Sequence, residues 1–295
     1  MRAVIAGVGF AGLAVAREFL ASGWEVLGLT HSAESATRLS AEFPCAACDI
    51  TQRESVAALR VPGPDVVIHC ASSGRGGADA YRAVYGEGSR HLFETLAPKR
   101  FIFTSSTSVY AQTDGSEVTE RSPAEPTRDT GRILRETEDY VLARGGMVAR
   151  LAGIYGPGRS VLLRKFLSEE AVIEGDGQRV INQVHRDDIA SALRVMVERG
   201  ESGIYNVCDD APIPQAELYT WLAEMFARDL PPRGPIDPNR KRGWTSKRVS
   251  NAKLRALGWQ PRWPTFYAAV KGDPELVRLA REQAEAELSG TNEGE

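Results

Sequence analysis

The chain reads as an α/β protein with a doubly wound parallel sheet and a smaller, interlocked C-terminal lobe. Three observations predict this. Short apolar runs alternate with helix-period segments through the first half, which specifies parallel strands joined by right-handed crossovers, with helices on both faces. A glycine-rich turn, Gly7-Val8-Gly9-Phe10-Ala11-Gly12, joins the first run to the first amphipathic segment. A break at Gly156-Pro157-Gly158 then ends the regular alternation.

Ala3-Val4-Ile5-Ala6 is the first strand, and the apolar periodicity of 13–20 is the first helix. Between them the G-x-G-x-x-G spacing has a physical purpose. Its glycines serve a tight turn, close approach of a pyrophosphate to the backbone, and close helix–strand packing. The helix N-terminus offers unpaired N–H groups to phosphate. A Rossmann-type dinucleotide site is therefore predicted at Gly7, Gly9, Phe10, Ala11 and Gly12. The second strand, 24–29, ends on Thr30-His31-Ser32 about twenty residues after the motif, where such a site tests the ribose 2′ position. An NAD site presents Asp or Glu there. Short hydroxyls followed by Arg38 favour NADP over NAD, with Glu34 near enough to keep NAD in view.

The third strand is 45–50, and Thr51-Gln52-Arg53-Glu54 has the spacing of a capping box for a helix through Leu59. The fourth strand, 65–70, runs into the small-residue loop Ala71-Ser72-Ser73-Gly74, over which a flat ligand can pass. A helix over 78–96, a strand over 100–104, a helix over 131–144 and a strand over 147–151 complete the alternation. Ligands are expected beyond the carboxyl ends of the strands. The dinucleotide should then cross strands one to four, touching Thr30, His31, Ser32, Arg38, Asp49, Ile50, Cys70, Ala71, Ser72 and Thr104. Residues 1–158 form the predicted dinucleotide domain, to which 187–208 return. Residues 159–186 and 209–295 form the substrate lobe.

Within that lobe, 161–167 reads as a helix, 174–177 as a turn, 180–184 as a strand and 273–288 as a charged, alanine-rich helix. Residues 231–238 read as a mobile, proline-rich loop near the site. Arg240-Lys241-Arg242 and Lys247-Arg248 concentrate positive charge suited to an anionic substrate, or form an ordinary solvated loop.

Composition excludes several functions. With 36 Lys and Arg against 39 Asp and Glu, the net charge of −3 argues against general nucleic-acid affinity. No apolar run approaches a membrane span, and the first strand directly follows Met1, so a cytoplasmic protein without a leader is expected. Cys45 and Cys48 make a C-x-x-C, but in a strand i and i+3 face opposite ways, and the four histidines are dispersed. No metal site or disulfide framework is predicted.

From the fifth strand onward the chain resembles a known family. Thr104-Ser105-Ser106-Thr107-Ser108-Val109-Tyr110 is similar to the SS-x-x-VYG segment of the extended short-chain dehydrogenases of the NAD-dependent epimerase/dehydratase family. Arg150 through Gly158 resembles its R-x-x-x-x-YGPG loop, His185-Arg186-Asp187-Asp188 its H-V-x-D segment, Tyr205-Asn206-Val207 its YNV strand, and Leu257-Gly258-Trp259-Gln260-Pro261 its LGW-x-P element. The resemblance implies nicotinamide-linked hydride transfer on a small polar or sugar-like substrate, possible pairing of two copies through helices 78–96 and 131–144, and a substrate-orienting role for Ser106. It also exposes a departure. Counting back from Glu138, which matches the family's glutamate, the catalytic Tyr-x-x-x-Lys positions hold Thr130 and Leu134. The segment from Thr130, with Gly131-Arg132, resembles a compact, atypical branch. Threonine is too weak an acid to replace the tyrosine unaided.

Ser106, Thr130 and Arg132 are the candidate catalytic residues. Arg132 would stabilise an oxyanion or hold an anionic substrate, and Tyr81, Tyr85, Tyr110 and Asp129 are alternative proton carriers. The leading expectation is an NADP-preferring epimerase/dehydratase-type enzyme with a non-standard proton donor. The alternative is a non-catalytic NADP(H)-binding or redox-sensing module.

Overall fold

The computed structural model describes residues 1–61, 63–74, 76–237 and 244–290. Seven parallel strands form the central sheet: β1 (Arg2–Ala6), β2 (Glu25–Thr30), β3 (Cys45–Ala47), β4 (Val66–His69), β5 (Arg100–Ser106), β6 (Met147–Leu151) and β7 (Gly203–Val207). Their order is β7-β6-β5-β4-β1-β2-β3. The register is regular, with Val4 opposite both Leu27 on β2 and Val67 on β4. Strands buried on both faces require continuous apolar runs, and β4 and β6 are buried at every position. The strand order reverses direction between β1 and β4, which opens a crevice at their carboxyl ends.

The helix Phe10–Ala21 buries Gly12, Val15, Ala16 and Phe19 along one stripe. That stripe spacing is the amphipathic period, and the helix packs against Arg186–Arg199. The predicted helix over 78–96 has an interruption. α-Helical Ala78–Tyr81 passes into a π-helical segment, Arg82–Glu87, before α-helix resumes over Gly88–Leu96. The helix predicted over 131–144 spans Asp129–Leu142.

Four predictions are corrected. The capping box does not form, because the Asp49 carboxylate accepts both the Thr51 N–H and hydroxyl, at 3.0 and 2.7 Å. The helix starts at Arg53 without a side-chain cap. The third strand ends at Ala47, since Asp49 turns the chain locally. The predicted strand over 180–184 is two short ones, Val180–Ile181 and Gln183–His185, paired with different partners. The proline-rich segment is not a free loop beside the site, because Arg233–Gly234 pairs with Ile173–Glu174. Pro238 and Arg240-Lys241-Arg242 lie outside the described residues.

Apolar packing falls into two clusters. One surrounds the sheet, and the other gathers Tyr155, Leu163, Phe166, Leu218, Phe266 and Leu276. Part of the predicted lobe belongs to the first, since Val249, Leu254 and Trp259 pack there and Arg248–Val249 pairs with Glu117–Val118. The helix Pro274–Leu288 packs on Val161–Leu167. Among the described residues no helix is long and apolar enough to cross a membrane.

A buried ionic network ties the helix Asp129–Leu142 to the sheet. Glu138 is fully buried, and its Oε2 lies 2.6 Å from Nη2 of Arg150 on β6. Ser105 on β5 donates its hydroxyl to Glu138 Oε1 at 2.6 Å, and Arg135 closes the other side. The Arg150 guanidinium also lies 4.7 Å from the centroid of the Tyr110 ring. Removing one member of a buried pair leaves the other charge uncompensated. Glu138→Leu should therefore lower the unfolding free energy in urea by about 3–5 kcal/mol. Asp139→Ala, which removes an exposed partner of Arg135, should change it by less than about 1 kcal/mol. Equal effects of the two substitutions would contradict this assignment.

Candidate functional site

The three glycines of the first turn meet different demands. Gly7 has φ +95°, and a Cβ there would lie 2.3 Å from the Ala71 backbone, so the turn presses directly on the loop after β4. Gly12 would place a Cβ 2.0 Å from the Gly7 carbonyl oxygen, which fixes how closely the helix sits on the turn. A Cβ on Gly9 would meet nothing within 4 Å. The open space is on the ligand side, and it is the room a pyrophosphate needs. The helix that follows has no side-chain cap and no acidic residue in its first turn. Its leading N–H groups are therefore available to an anion. Gly7 and Val8 donate their N–H groups to the Leu29 carbonyl at 2.9 and 3.1 Å, anchoring the turn to β2.

A cleft of about 420 Å³ runs from this turn along the carboxyl ends of the strands. Of the predicted dinucleotide contacts, Gly7, Gly9, Phe10, Ala11, Thr30, His31, Arg38, Cys70, Ala71, Ser72 and Thr104 line it. Gly12 lies beneath. Ser32 is off the lining because its hydroxyl caps the helix Ala33–Leu39, accepting the Ser35 N–H at 3.2 Å. Asp49 and Ile50 are also off it, the first turned to Thr51 and the second packed where Gly88 leaves room. Glu34 sits exposed in the first turn of Ala33–Leu39, outside the cleft lining that its neighbour Ser35 joins. No carboxylate lines the cleft among the described residues, whereas Arg38 and Arg159 do. Arg159 and Arg186 lie over the Phe10 ring, 5.5 and 5.1 Å from its centroid. The contribution of Arg159 was not foreseen, although its place just after the Gly-Pro-Gly turn was a usable signal.

At the other end of the cleft, Ser106 is half-buried, and its Oγ accepts the Ser108 N–H at 3.2 Å. Thr104 donates its hydroxyl to the His69 carbonyl at 2.8 Å. The Cys70 thiol is pushed up to about 12 by burial, so it stays protonated and is no nucleophile. His69 behind it is pushed down to about 3 by burial, and its Nδ1 lies 2.9 Å from the Ser89 hydroxyl. A second cavity of about 310 Å³ contains Thr130 in its lining, with Thr113, Arg128, Trp244 and Thr245. Tyr81, Ser108 and Leu134 line both cavities.

The remaining candidates are not brought to the site. Arg132 is exposed and donates to Asp129 Oδ1 at 2.8 Å, off both cavities. The Tyr110 hydroxyl is buried between Asn206 Oδ1, at 2.8 Å, and the Thr119 carbonyl, at 3.0 Å. The basic pair Lys247-Arg248 is not an anion grip. Lys247 is buried and donates to the Tyr110 carbonyl and the Thr245 hydroxyl, each at 2.9 Å, and Arg248 donates to the Gly115 carbonyl at 2.7 Å. All four cysteines are free, and no group of metal-ligating side chains occurs among the described residues.

Residues 3–208 match the sequence profile of the NAD dependent epimerase/dehydratase family. The chain belongs to this family. It is 29% identical over 280 residues to Protein YeeZ of Escherichia coli K12, covering 89% of this chain and 96% of that protein. It is also 29% identical over 306 residues to a 3-diazoavenalumate denitrifying reductase of a Streptomyces species, covering 90% and 98%. A solved structure from Methylobacillus flagellatus, named for the NAD-dependent epimerases/dehydratases, superposes with a TM-score of 0.78 at 28% identity, covering 95% of this chain and 98% of that one. The UDP-glucose 4-epimerase of Thermotoga maritima, at 22% identity, 98% and 100% coverage and a TM-score of 0.77, shares the fold. This member is therefore an NAD(P)-binding protein with a seven-stranded Rossmann-type sheet.

Two stability tests follow from the geometry. Gly12→Ala should destabilise by about 1–3 kcal/mol through backbone overpacking, whereas Gly9→Ala should stay within about 1 kcal/mol of wild type. Thermal melts of the two variants distinguish them, and a larger loss from Gly9→Ala would refute the assignment of the open space. The second test concerns Lys247, whose amine is pushed down to about 8 by burial. Between that value and about 10.4, the unfolded chain holds a proton that the folded chain does not, so this group's contribution to stability rises with pH. Wild type measured against Lys247→Met should gain stability between about pH 8 and 10. A flat difference would mean the amine stays charged in the fold.

Proposed function

We propose that this protein is an NADP-preferring oxidoreductase of the epimerase/dehydratase type, acting on a small polar or sugar-like substrate that is neutral or anionic. It lacks the family's Tyr-x-x-x-Lys pair and uses another proton donor. The observation that carries the proposal is the continuous cleft joining an uncapped helix N-terminus to Ser106. Phe10 and Ala11 offer backbone N–H groups to the pyrophosphate. Thr30, His31 and Arg38 surround the ribose 2′ position, and Arg38 has no hydrogen-bond or ion-pair partner among the described residues. A 2′-phosphate would supply one, and no carboxylate in the lining would repel it. Ala71, Ser72 and Thr104 extend the surface toward the nicotinamide. When bound, the nicotinamide supplies or accepts a hydride. Ser106 orients the reacting oxygen by hydrogen bonding, and Thr130 belongs to the substrate cavity. A homodimer paired through the helical run 78–96 and the helix predicted over 131–144 is part of the same proposal, on the family resemblance.

The second reading is a non-catalytic NADP(H)-binding or redox-sensing module. Leu134 favours it, because an apolar side chain stands where the family resemblance places a lysine. Both readings require the nucleotide. In calorimetric titrations NADPH should bind more tightly than NADH. Arg38→Ala should weaken NADPH by about ten- to a hundredfold, the loss of one or two charge-assisted hydrogen bonds, and leave NADH little changed. Equal weakening of both nucleotides would remove the 2′-phosphate assignment, and binding of neither would remove the oxidoreductase reading.

A further inference from the structure

Tyr81, Ser108 and Leu134 are the described residues that line both the cleft and the second cavity, so they stand where a substrate oxygen would meet the nicotinamide end of the cofactor. They differ in what they can do with a proton. Leu134 has none to exchange, and the Ser108 hydroxyl is too weak an acid to act unaided. Tyr81 carries a phenol, with an ordinary pKa of about 10. We propose that Tyr81 is the proton donor of this protein, supplied by the helix after β4 in place of the motif tyrosine. This inference rests on the nicotinamide reading above.

Local structure supports the placement. Tyr81 ends the α-helical turn Ala78–Tyr81, and the π-helical segment Arg82–Glu87 begins directly after it. Such segments interrupt α-helices and are frequent at functional sites. Tyr81 and Tyr85 meet edge to face, with centroids 4.9 Å apart at 69°. Tyr85 is held in turn: its hydroxyl accepts the Ser73 N–H at 3.4 Å, and its ring packs on Phe103 and His69 at 6.0 and 6.2 Å. Tyr85 thus supports the Tyr81 ring from below. Tyr110 does not compete, being enclosed between Asn206 and Thr119 away from both cavities. Arg128 lines the second cavity together with Tyr81, and a cation in the same cavity favours the phenolate left after proton transfer. Buried His69, packed against the Tyr85 ring, and the Cys70 thiol both stay neutral.

In the reductive direction the step balances. The carbonyl carbon would gain the hydride that bound NADPH supplies as the C4–H bond of its nicotinamide breaks, while the carbonyl π pair moves onto oxygen. That oxygen takes the proton of Tyr81 Oη, the O–H bond of the phenol breaks, and water reprotonates the phenolate. Oxidation of an alcohol runs the same steps in reverse.

The test needs no substrate. Tyrosine labelled with carbon-13 at Cζ reports each phenol by nuclear magnetic resonance, and Tyr81→Phe assigns the signal while keeping the ring contact with Tyr85. The titration is run with and without saturating NADP+, whose binding is measured on the same sample by calorimetry. A positively charged nicotinamide beside the phenol should lower its pKa by at least about one unit, a tenfold change in proton affinity. The Tyr85 signal should move less, and Tyr81→Phe should bind NADP+ within about twofold of wild type. Tight binding with an unmoved Tyr81 signal would overturn the proposal and leave the cofactor reading intact. Absence of binding would overturn both.

Discussion

The close approach of two backbones at Gly7 and Ala71 is the constraint on which the cleft depends. β1 and β4 are neighbours, and the chain leaves them toward opposite flanks of the sheet. Their following loops must therefore diverge around a crevice, and the width of that crevice depends on how closely the loops start. Gly7 has no Cβ and adopts a left-handed φ that L side chains rarely tolerate. Its contact with the Ala71 backbone sets the floor of the cleft. Gly12 then seats the helix against the turn, and Gly9 leaves free the space above. The shape of this end of the cleft thus follows from three absences of side chain, each with a separate steric consequence.

The other end of the cleft is positioned by charge. Ser105 and Ser106 are consecutive on β5, so their side chains face opposite ways. Ser105 reaches into the buried network of Glu138 and Arg150, and Ser106 is left facing the cleft. Satisfying a buried carboxylate with a bidentate guanidinium and a hydroxyl makes the network specific in geometry. It locks the orientation of the strand end. The same carboxylate fixes the helix Asp129–Leu142, which carries Thr130 and Leu134 to the wall of the second cavity. The glycine turn and Ser106 therefore rest on different physical devices, one steric and one electrostatic, joined through the sheet.

Much of this was legible in the residues, and for identifiable reasons. Strands buried on both faces are mainly apolar, so Val66-Val67-Ile68 and Met147-Val148-Ala149 announce β4 and β6, and the glycine spacing between strand and helix marks the turn. What escaped reading depends on distant contacts or on backbone register. Ser32 looked like a ribose contact, but a serine hydroxyl at a helix start is at least as well used as a cap. Lys247 looked like solvated charge beside Arg248, yet the acceptors that draw it inward, the Tyr110 carbonyl and the Thr245 hydroxyl, include one far away in the chain. The π-helical segment after Tyr81 carries no local compositional signal. Arg132 had suitable chemistry for an oxyanion, but the helix turns it toward Asp129 and solvent. Side-chain chemistry alone nominates candidates; packing decides which of them meet.

Amide hydrogen exchange, followed residue by residue with and without NADPH, tests the central claim most directly. A dinucleotide seated on the glycine turn should slow exchange at the first-turn amides of Phe10, Ala11 and Gly12, and across the loop from Ala71 to Ser73. The surface helices of the C-terminal cluster should be unchanged. Protection confined to that cluster, or no protection anywhere at saturating nucleotide, would contradict a dinucleotide seated on the glycine turn.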